Sequence, residues 1–270
     1  MKSGVDLQRA AMAEICSTRD DWSFHVTSDP LTRFLRDRRL RTALHILRVR
    51  GLLEPAKQSA LIVCGGVGGE GVFLSRYGFT DVTVSDLSEE ALAVCRSLEP
   101  RLRTMPLNAE NMAEIPDSSY DLVLVQDGLH HLPRPVLGFT EMLRVARRAV
   151  IVIEPHEGLV GRLIGTEWER HGDVVNYVFR WNRSILNQAT RSYLLCTRAI
   201  VLPHRMWDHN VVVGKLARRF SERWRLLVAK AVYQVLRPVN RLGNMMVAVV
   251  VKPDDNPAHR SGQCAAPKLS

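Results

Sequence analysis

Residues 60–92 read ALIVCGGVGGEGVFLSRYGFTDVTVSDLSEEAL, and this stretch decides the fold of the chain. It opens with a short apolar run, Ala60–Val63, and passes through a cluster of glycines into a helical pattern. A second apolar run, Val82–Ser85, then ends at Asp86. The order of strand, tight turn, helix, strand and carboxylate predicts a nucleotide-binding half-site.

Each part of this stretch has a physical role in such a site. Glycines let the backbone turn sharply and approach a ligand closely, because they carry no side chain. A helix that begins near Gly69 directs free N–H groups toward the same crevice. Asp86 lies about twenty residues after the glycines, where a carboxylate can accept hydrogen bonds from ribose hydroxyls.

Apolar runs and helical patterns keep alternating after this stretch. Further strands are predicted at Arg103–Leu107, Leu122–Val125, Ala149–Ile153, Arg198–His204 and Met245–Lys252. The alternation predicts an α/β fold with a doubly wound, mostly parallel, seven-stranded Rossmann-like sheet. Ligands bind outside the carboxyl ends of the strands in such sheets. The features expected to converge there are the glycine turn, Asp86, Asn108, residues 126–131 and Glu154.

Helical additions are predicted around this sheet. Residues 1–27 are weakly patterned and suggest a frayed or short helical lead-in, whereas Asp29-Pro30 is a typical helix start for the amphipathic pattern that follows. The predicted organisation is an N-terminal helical lid or cap at 1–55, a main domain at 56–252 with helical insertions at about 156–195 and 208–243, and a disordered tail at 253–270.

Composition indicates a globular protein of the cytoplasm. The chain has 270 residues, 46% of them hydrophobic, which is enough for one large core. The five cysteines are scattered and form no CxxC pair, so they predict reduced thiols and no metal site. The N-terminus has no apolar stretch of signal-peptide length, and no apolar run reaches the thickness of a bilayer.

The net charge of +9 is unevenly placed. Arginines concentrate in residues 33–50, and basic residues interleave with apolar ones in residues 215–241. Such segments are typical of solvated helix faces, and they also suit an anionic substrate, peripheral contact with an anionic membrane surface, or RNA. No recognised RNA-binding module is present, so no nucleic-acid partner is expected. The oligomeric state is left open.

The motifs, in order, resemble a known family. ALIVCGGVGGEG, VTVSDLSEEAL, NAENMAEIPDSSYDLVLVQDGLHHL and RVARRAVIVIEP together resemble the class I S-adenosylmethionine-dependent methyltransferases, especially the small-molecule, type 11-like group, over residues 58–155. The resemblance implies S-adenosylmethionine as cofactor. Its implied contacts are Gly65, Gly66 and Gly68 at the methionine part, Asp86 at the ribose hydroxyls, Leu87 on the adenine, Asn108 and Ala109 at the adenine edge, and Gln126 near the methionine amino group.

Three positions depart from the family pattern. Cys64 stands at the usual first glycine, Ile62 at the usual acidic position, and Asn108 at a frequent aspartate. These departures point to reduced affinity or lost activity, so a noncatalytic binding protein with this fold remains an alternative. Residues 66–71 also satisfy GxGxxG, the fingerprint of NAD(P)-dependent oxidoreductases, although the chain has no Tyr-x-x-x-Lys pair of the short-chain dehydrogenase kind.

Histidines at the expected cleft are the candidate catalytic bases. His130 and His131 follow the fourth predicted strand, and His156 follows the fifth. A base is useful when a hydroxyl is methylated, whereas local packing is the alternative role for all three histidines. Candidate acceptor-binding residues, for which core packing is the alternative, are Trp22, Tyr177, Arg180 and Trp181.

These observations predict a methyltransferase that acts on a small-molecule acceptor, most readily at oxygen, under a helical lid. The alternative acceptor is a lipid-linked or membrane-partitioned molecule presented to the basic segment at 215–241. A noncatalytic binding protein and an NAD(P)-dependent oxidoreductase are the alternatives from other classes.

Overall fold

The central element is a seven-stranded sheet. The computed structural model describes residues 4–18, 22, 26, 28–171, 174–196, 198–207 and 213–253. Five mutually parallel strands are β1 (Ser59–Ile62), β2 (Asp81–Asp86), β3 (Arg103–Pro106), β4 (Tyr120–Gln126) and β5 (Ala146–Pro155). Strand β9 (Met245–Val251) is antiparallel to β5, and β8 (Ile200–Met206) is antiparallel to β9, so β8 runs in the same direction as the first five strands. Their order is β3-β2-β1-β4-β5-β9-β8. This confirms the predicted doubly wound, mostly parallel sheet.

Helices cover both faces of the sheet. On one face lie α2 (Pro30–Val49), α3 (Gly69–Tyr77) and α4 (Glu89–Leu98), and on the other lie α5 (Pro135–Val145) and α7 (Arg183–Leu194). The central strands β4 and β5 are buried on both faces, which explains their nearly continuous apolar sequence. Two large apolar clusters, one on each face, therefore hold the sheet between the helices.

The observed strands differ from their predicted bounds at the ends. The fourth and fifth strands are longer than predicted because β4 pairs with β5 from Tyr120 and β9 pairs with β5 as far as Pro155. Strand β8 begins at Ile200, where its antiparallel pairing with β9 starts, and not at Arg198 as predicted. Strand β3 ends at Pro106 and β9 ends at Val251, each one residue before its predicted end.

Two segments were wrongly predicted in detail. The N-terminal lead-in is not short, because α1 (Gly4–Thr18) has 15 residues. The segment 156–195 contains, besides α6 (Leu159–Ile164) and α7, a β-hairpin instead of only helix and loop. The hairpin pairs β6 (Trp168–His171) with β7 (Val174–Tyr177), and an edge-to-face contact of Trp168 and Tyr177, with ring centroids 5.2 Å apart, braces it.

The remaining elements lie late in the chain. They are α8 (Lys215–Ala217), α9 (Glu222–Leu236) and a 3-10 helix at Arg237–Leu242. Among the described residues, none of the helices has the length and apolarity needed to cross a membrane. The tail predicted at 253–270 lies outside the described residues except for Pro253, and the domain bounds at 55 and 252 remain predictions.

Candidate active site

The glycine turn after β1 is built around positive backbone angles. Gly66 and Gly68 have φ of +49° and +85°, which L side chains rarely adopt. A Cβ atom on Gly68 would lie 2.3 Å from Sγ of Cys95 in α4, so this glycine is also required for packing. Cys64 has a φ of +52° at the position where the resembled family usually has glycine, and such a conformation stores about 1 kcal/mol of strain.

Asp86, at the end of β2, holds this turn in place. Its two carboxylate oxygens accept hydrogen bonds from N–H of Gly66 (2.8 Å) and of Ser88 (3.0 Å). Burial raises the pKa of the Asp86 carboxyl, and these N–H bonds oppose that shift. Each oxygen keeps a further lone pair with which it can accept a bond from a ligand hydroxyl.

A cavity of about 170 Å³ opens at the carboxyl ends of the strands. Asp86, Leu87 and Ala109, three of the predicted cofactor contacts, line it together. Its other lining residues come from α1, from the β4–α5 connection and from the hairpin: Gln8, Ala11, Met12, Ile15, Cys64, Leu107, Asp127, Gly128, His131, Leu132, Val174 and Asn176. Cys64 is a neutral thiol there, because burial and the nearby Asp86 raise its pKa well above the usual value.

Gln126 carries an unsatisfied polar atom at the end of β4. Its Nε2 donates to Oε1 of Glu70 (2.9 Å), while its Oε1 is buried without a hydrogen-bond partner among the described residues. A buried orphan acceptor costs about 1–3 kcal/mol unless a ligand satisfies it. An ammonium group, such as the one on the methionine part of S-adenosylmethionine, would satisfy it. The residues present therefore fit that cofactor.

Asn108 acts on the backbone instead of lining the cavity. Its Oδ1 accepts from N–H of Glu110 (2.9 Å), which fixes the turn that presents Ala109. An asparagine in place of the frequent aspartate can make the same bond, because the amide oxygen is an acceptor too.

Two arginines of α2 contact the site, and sequence patterns did not assign them to it. Arg39 is buried and pairs with Asp127 of the cavity wall (2.7 Å). Arg36 lies over Gly69 at the start of α3, where a Cβ atom would come within 2.8 Å of its Nη1. The signal in the sequence was helical spacing, because Arg36 and Arg39 fall on the same face of α2 as Leu35 and Leu40, which are buried.

His130 is held between carboxylates. Its Nδ1 lies 2.6 Å from Oε2 of Glu154, and its Nε2 lies 3.6 Å from Oε2 of Glu169 in the hairpin. Oε1 of Glu154 also accepts from N–H of Gly128 (2.8 Å) and Leu129 (2.7 Å). Burial lowers the pKa of His130, but Glu154 and Glu169 outweigh it and raise the pKa to about 10. A protonated His130 cannot act as the predicted base at neutral pH.

His131 lies next to it and faces the cavity. The two imidazole centroids are 4.1 Å apart. Nδ1 of His131 is 3.4 Å from Nδ2 of Asn176 in β7, and its carbonyl oxygen accepts from Nε2 of Gln8 in α1. Donor atoms of His130, His131 and Glu169 all lie within 4.8 Å of one another, so these are the described residues that could share a metal ion.

The other predicted site residues lie elsewhere. His156 lines a separate cavity of about 450 Å³, and burial followed by the charge of Arg205 lowers its pKa. Trp181 has no exposed surface and packs against Phe139 and Phe179, so its predicted role in the acceptor pocket is wrong. A tryptophan this large is well placed to fill the core under the sheet edge.

The other three candidates for acceptor binding lie outside the lining of the cofactor cavity. Tyr177 is about half exposed and lines a groove with His130 and His131. Arg180 donates from Nη2 to the carbonyl oxygen of Thr166 (2.6 Å) and lines neither this groove nor the cofactor cavity. Trp22 is partly buried and is likewise absent from both linings.

One family model matches part of the chain. Residues 62–153 match the family described as "Methyltransferase domain". No curated protein was found to match the chain by sequence.

Similar solved structures share the fold at low identity. A magnesium protoporphyrin IX methyltransferase from Synechocystis with bound SAM is 11% identical, with 94% of this chain and 99% of that chain covered and a TM-score of 0.57. A plantazolicin methyltransferase in complex with a desmethyl substrate analogue and SAH is 14% identical, covering 92% and 97%, with a TM-score of 0.57.

A third structure has a different described activity. A [4+2]-cyclase is 16% identical, covers 79% of this chain and 80% of that chain, and has a TM-score of 0.51. Proteins of this fold thus differ in the reaction they support, and function has to be argued from the site.

Proposed function

We propose that the chain is a class I S-adenosylmethionine-dependent methyltransferase that methylates a small-molecule acceptor at oxygen, and the matched methyltransferase domain and the doubly wound sheet support this. The observation that carries the proposal is the convergence of Asp86, Leu87, Ala109 and Cys64 of the glycine turn on one cavity at the carboxyl ends of the parallel strands, with Asp86 bound to N–H of Gly66 in that turn. The similar methyltransferases with porphyrin and plantazolicin substrates support a small-molecule acceptor.

Different residues of the proposed site bind different parts of the cofactor. S-adenosylmethionine, when bound, supplies a methyl group already activated by its sulfonium. Asp86 accepts hydrogen bonds from the ribose hydroxyls, and Oε1 of Gln126 accepts from the ammonium group. Leu87 and Ala109 enclose the adenine. Holding the acceptor in line with the activated methyl can contribute about 7–11 kcal/mol to lowering the barrier.

His131 is the proposed base for an oxygen acceptor. It lines both the cofactor cavity and the groove next to it, so it lies at the boundary of the two spaces. Asn176 lies within 3.4 Å of its Nδ1 and orients the ring. His130 is protonated and offsets the negative charges of Glu154 and Glu169, so it positions the connection after β4. It does not take the proton of the acceptor.

The groove beside the cavity is the proposed acceptor site. It has a volume of about 340 Å³ and is lined by the hairpin, by α1 and by the residues around His130. Leu7, Tyr177 and Phe179 provide apolar and aromatic surface, and His130 and His131 provide the polar groups. Small-molecule sites typically combine such surfaces.

Titration calorimetry tests the proposal directly. S-adenosylhomocysteine is expected to bind the wild type, and Asp86→Ala is expected to weaken that binding about tenfold or more because ribose loses a charged acceptor. Asp81→Ala, at the exposed beginning of the same strand, is the matched control and should bind as the wild type does. Binding of NADH in place of S-adenosylhomocysteine would contradict the proposal.

A panel of hydroxyl-bearing and amine-bearing acceptors then tests transfer, with mass spectrometry as the readout. We expect products methylated at a hydroxyl oxygen. Products methylated only at nitrogen would contradict the proposal that oxygen is the acceptor atom. Cofactor binding without any product would favour the noncatalytic alternative, which the strained Cys64 in the cofactor turn supports. The [4+2]-cyclase of this fold is a precedent for a different activity.

A further inference from the structure

A wide groove separates α2 from α9 on the side of the molecule that carries β8. Its volume is about 860 Å³, within the range of ligand sites in proteins. One stripe of α2, from Arg33 to His45, forms one wall, and one stripe of α9 and the following turn, from Leu226 to Arg237, forms the other. His204 of β8 also lines this α2–α9 groove.

The charges lining the α2–α9 groove are almost all positive. Its basic side chains are Arg33, Arg38, Arg41, Lys230 and Arg237. The one carboxylate of the lining, Asp37, is already bound by Arg36, with Nη2 and Oδ1 2.9 Å apart. Within the described part of the chain, none of the five cations forms an ion pair. Two helix faces of like charge repel each other unless an anion lies between them.

Two guanidinium nitrogens in the groove are buried and unsatisfied. Nε of Arg33 and Nη1 of Arg38 have no hydrogen-bond partner among the described residues. The guanidinium of Arg38 lies 3.6 Å from the ring centroid of Tyr233. Burial lowers the pKa of Arg38, and burial together with the charge of Arg38 lowers that of His204. Unpaired buried charge is costly, and an anionic ligand would remove the cost.

The same groove offers apolar surface beside the charges. Phe34, Leu226 and Tyr233 line it, and Phe34 packs edge-on against Tyr233 with ring centroids 6.0 Å apart. A ligand with a charged end and an apolar substituent would contact both kinds of surface.

We propose that the α2–α9 groove binds a phosphate or diphosphate ester that has an apolar substituent. Arginines recognise phosphate through paired N–H donors, and Arg33 and Arg38 each have a buried N–H group without a hydrogen-bond partner among the described residues. The binding site is separate from the cofactor cavity, with which it shares no lining residue. The proposal does not depend on methyl transfer and goes beyond it.

Titration calorimetry with inorganic pyrophosphate and with octyl phosphate tests the groove in the full-length protein. The variant R33Q/R38Q should bind both probes about tenfold more weakly or worse, since it loses two charged donors. The control R218Q/R219Q removes the same charge from exposed arginines outside the groove and should change affinity less than about twofold. Absent binding by the wild type, or equal weakening in both variants, would overturn the proposal.

A second variant tests the groove even if R33Q/R38Q fails to fold. Lys230 is exposed at the rim of the groove, so K230Q should leave the fold intact and weaken pyrophosphate binding about threefold. Pyrophosphate should also raise the Tm of the wild type and of R218Q/R219Q but not that of R33Q/R38Q. An equal rise in Tm for all three proteins would contradict a site in the groove.

Vesicle sedimentation distinguishes the two sources of such a ligand. Binding to phosphatidylcholine vesicles that contain phosphatidylglycerol, reversed by pyrophosphate and lost in R33Q/R38Q, would assign the groove to a lipid headgroup. Binding of octyl phosphate without vesicle binding would assign it to a soluble phosphate ester. Vesicle binding that R218Q/R219Q weakens as much as R33Q/R38Q would indicate a diffuse basic surface and would contradict the proposal.

Discussion

At the scale of single residues, the site depends on which groups carry protons. His130 is protonated because Glu154 and Glu169 surround it, whereas His131 faces the cavity with an amide as its neighbour. Adjacent histidines therefore have different roles, one as a fixed charge and the other as the proposed base. The difference follows from their surroundings and not from their residue type.

His130→Gln should destabilise the protein in a pH-dependent way. The pKa of His130 in the folded protein is about 10, above its ordinary 6.5, so its stabilisation is fully present below pH 6.5 and is lost as pH rises through 10. Breaking a buried pair costs about 3 kcal/mol or more. Urea unfolding of wild type and variant should show this gap at pH 6 and its closure by pH 10; a gap independent of pH would contradict a charged His130.

His131→Ala should lower kcat about a hundredfold while leaving the Kd for S-adenosylhomocysteine within about threefold, since a positioned base acts on the transition state. His156→Ala, which removes a histidine from a separate cavity, is the control and should retain the wild-type rate. Single-turnover kinetics and calorimetry give the two quantities. A fall in cofactor affinity that equals the fall in kcat would assign His131 to cofactor binding instead.

Sequence patterns predicted the positions of residues that are aligned by local spacing. Gly66, Gly68 and Asp86 could be placed because the turn, helix and strand that align them are contiguous in the chain. The charge state of His130 and the pair of Arg39 with Asp127 could not, because their partners come from distant parts of the sequence. Tertiary contacts of this kind leave no periodic pattern.

At the scale of elements, the glycine turn and α4 are packed as one unit. Gly68 needs its positive φ and also the space beside Cys95. Sequence patterns predicted the helix and the turn but not this contact. The hairpin β6–β7 escaped prediction for a related reason, since four-residue strands carry too little alternation to be recognised.

Gly68→Ala should weaken binding of S-adenosylhomocysteine at least tenfold, because its Cβ atom would collide with Sγ of Cys95 and shift the turn. Cys95→Ala removes that sulfur and should recover part of the affinity in the double variant, although the backbone strain at φ +85° remains. Calorimetry on the two single variants and the double variant measures the coupling. Strictly additive losses would show that the two residues act independently.

At the scale of the whole molecule, α2 lies between the two proposed binding regions. Arg36 and Arg39 on one face contact the cofactor side, and Arg33 and Arg38 on the other line the α2–α9 groove. The doubly wound sheet and its ligand-binding edge were predictable from the alternation of strands and helices. The groove was not, because it forms only where two helices far apart in the chain meet.

Helix α1 forms part of the wall of the proposed cofactor cavity, and we expect it to control how the cofactor enters. Met12 and Ile15 of α1 close a space of about 170 Å³, smaller than the roughly 300–1,000 Å³ of most small-molecule sites. In stopped-flow experiments, the observed rate of S-adenosylhomocysteine association should therefore reach a plateau, since opening of α1 becomes the slow step. Removal of residues 4–18 should make the rate rise linearly with concentration. A linear rise in the intact chain would mean that α1 does not gate entry.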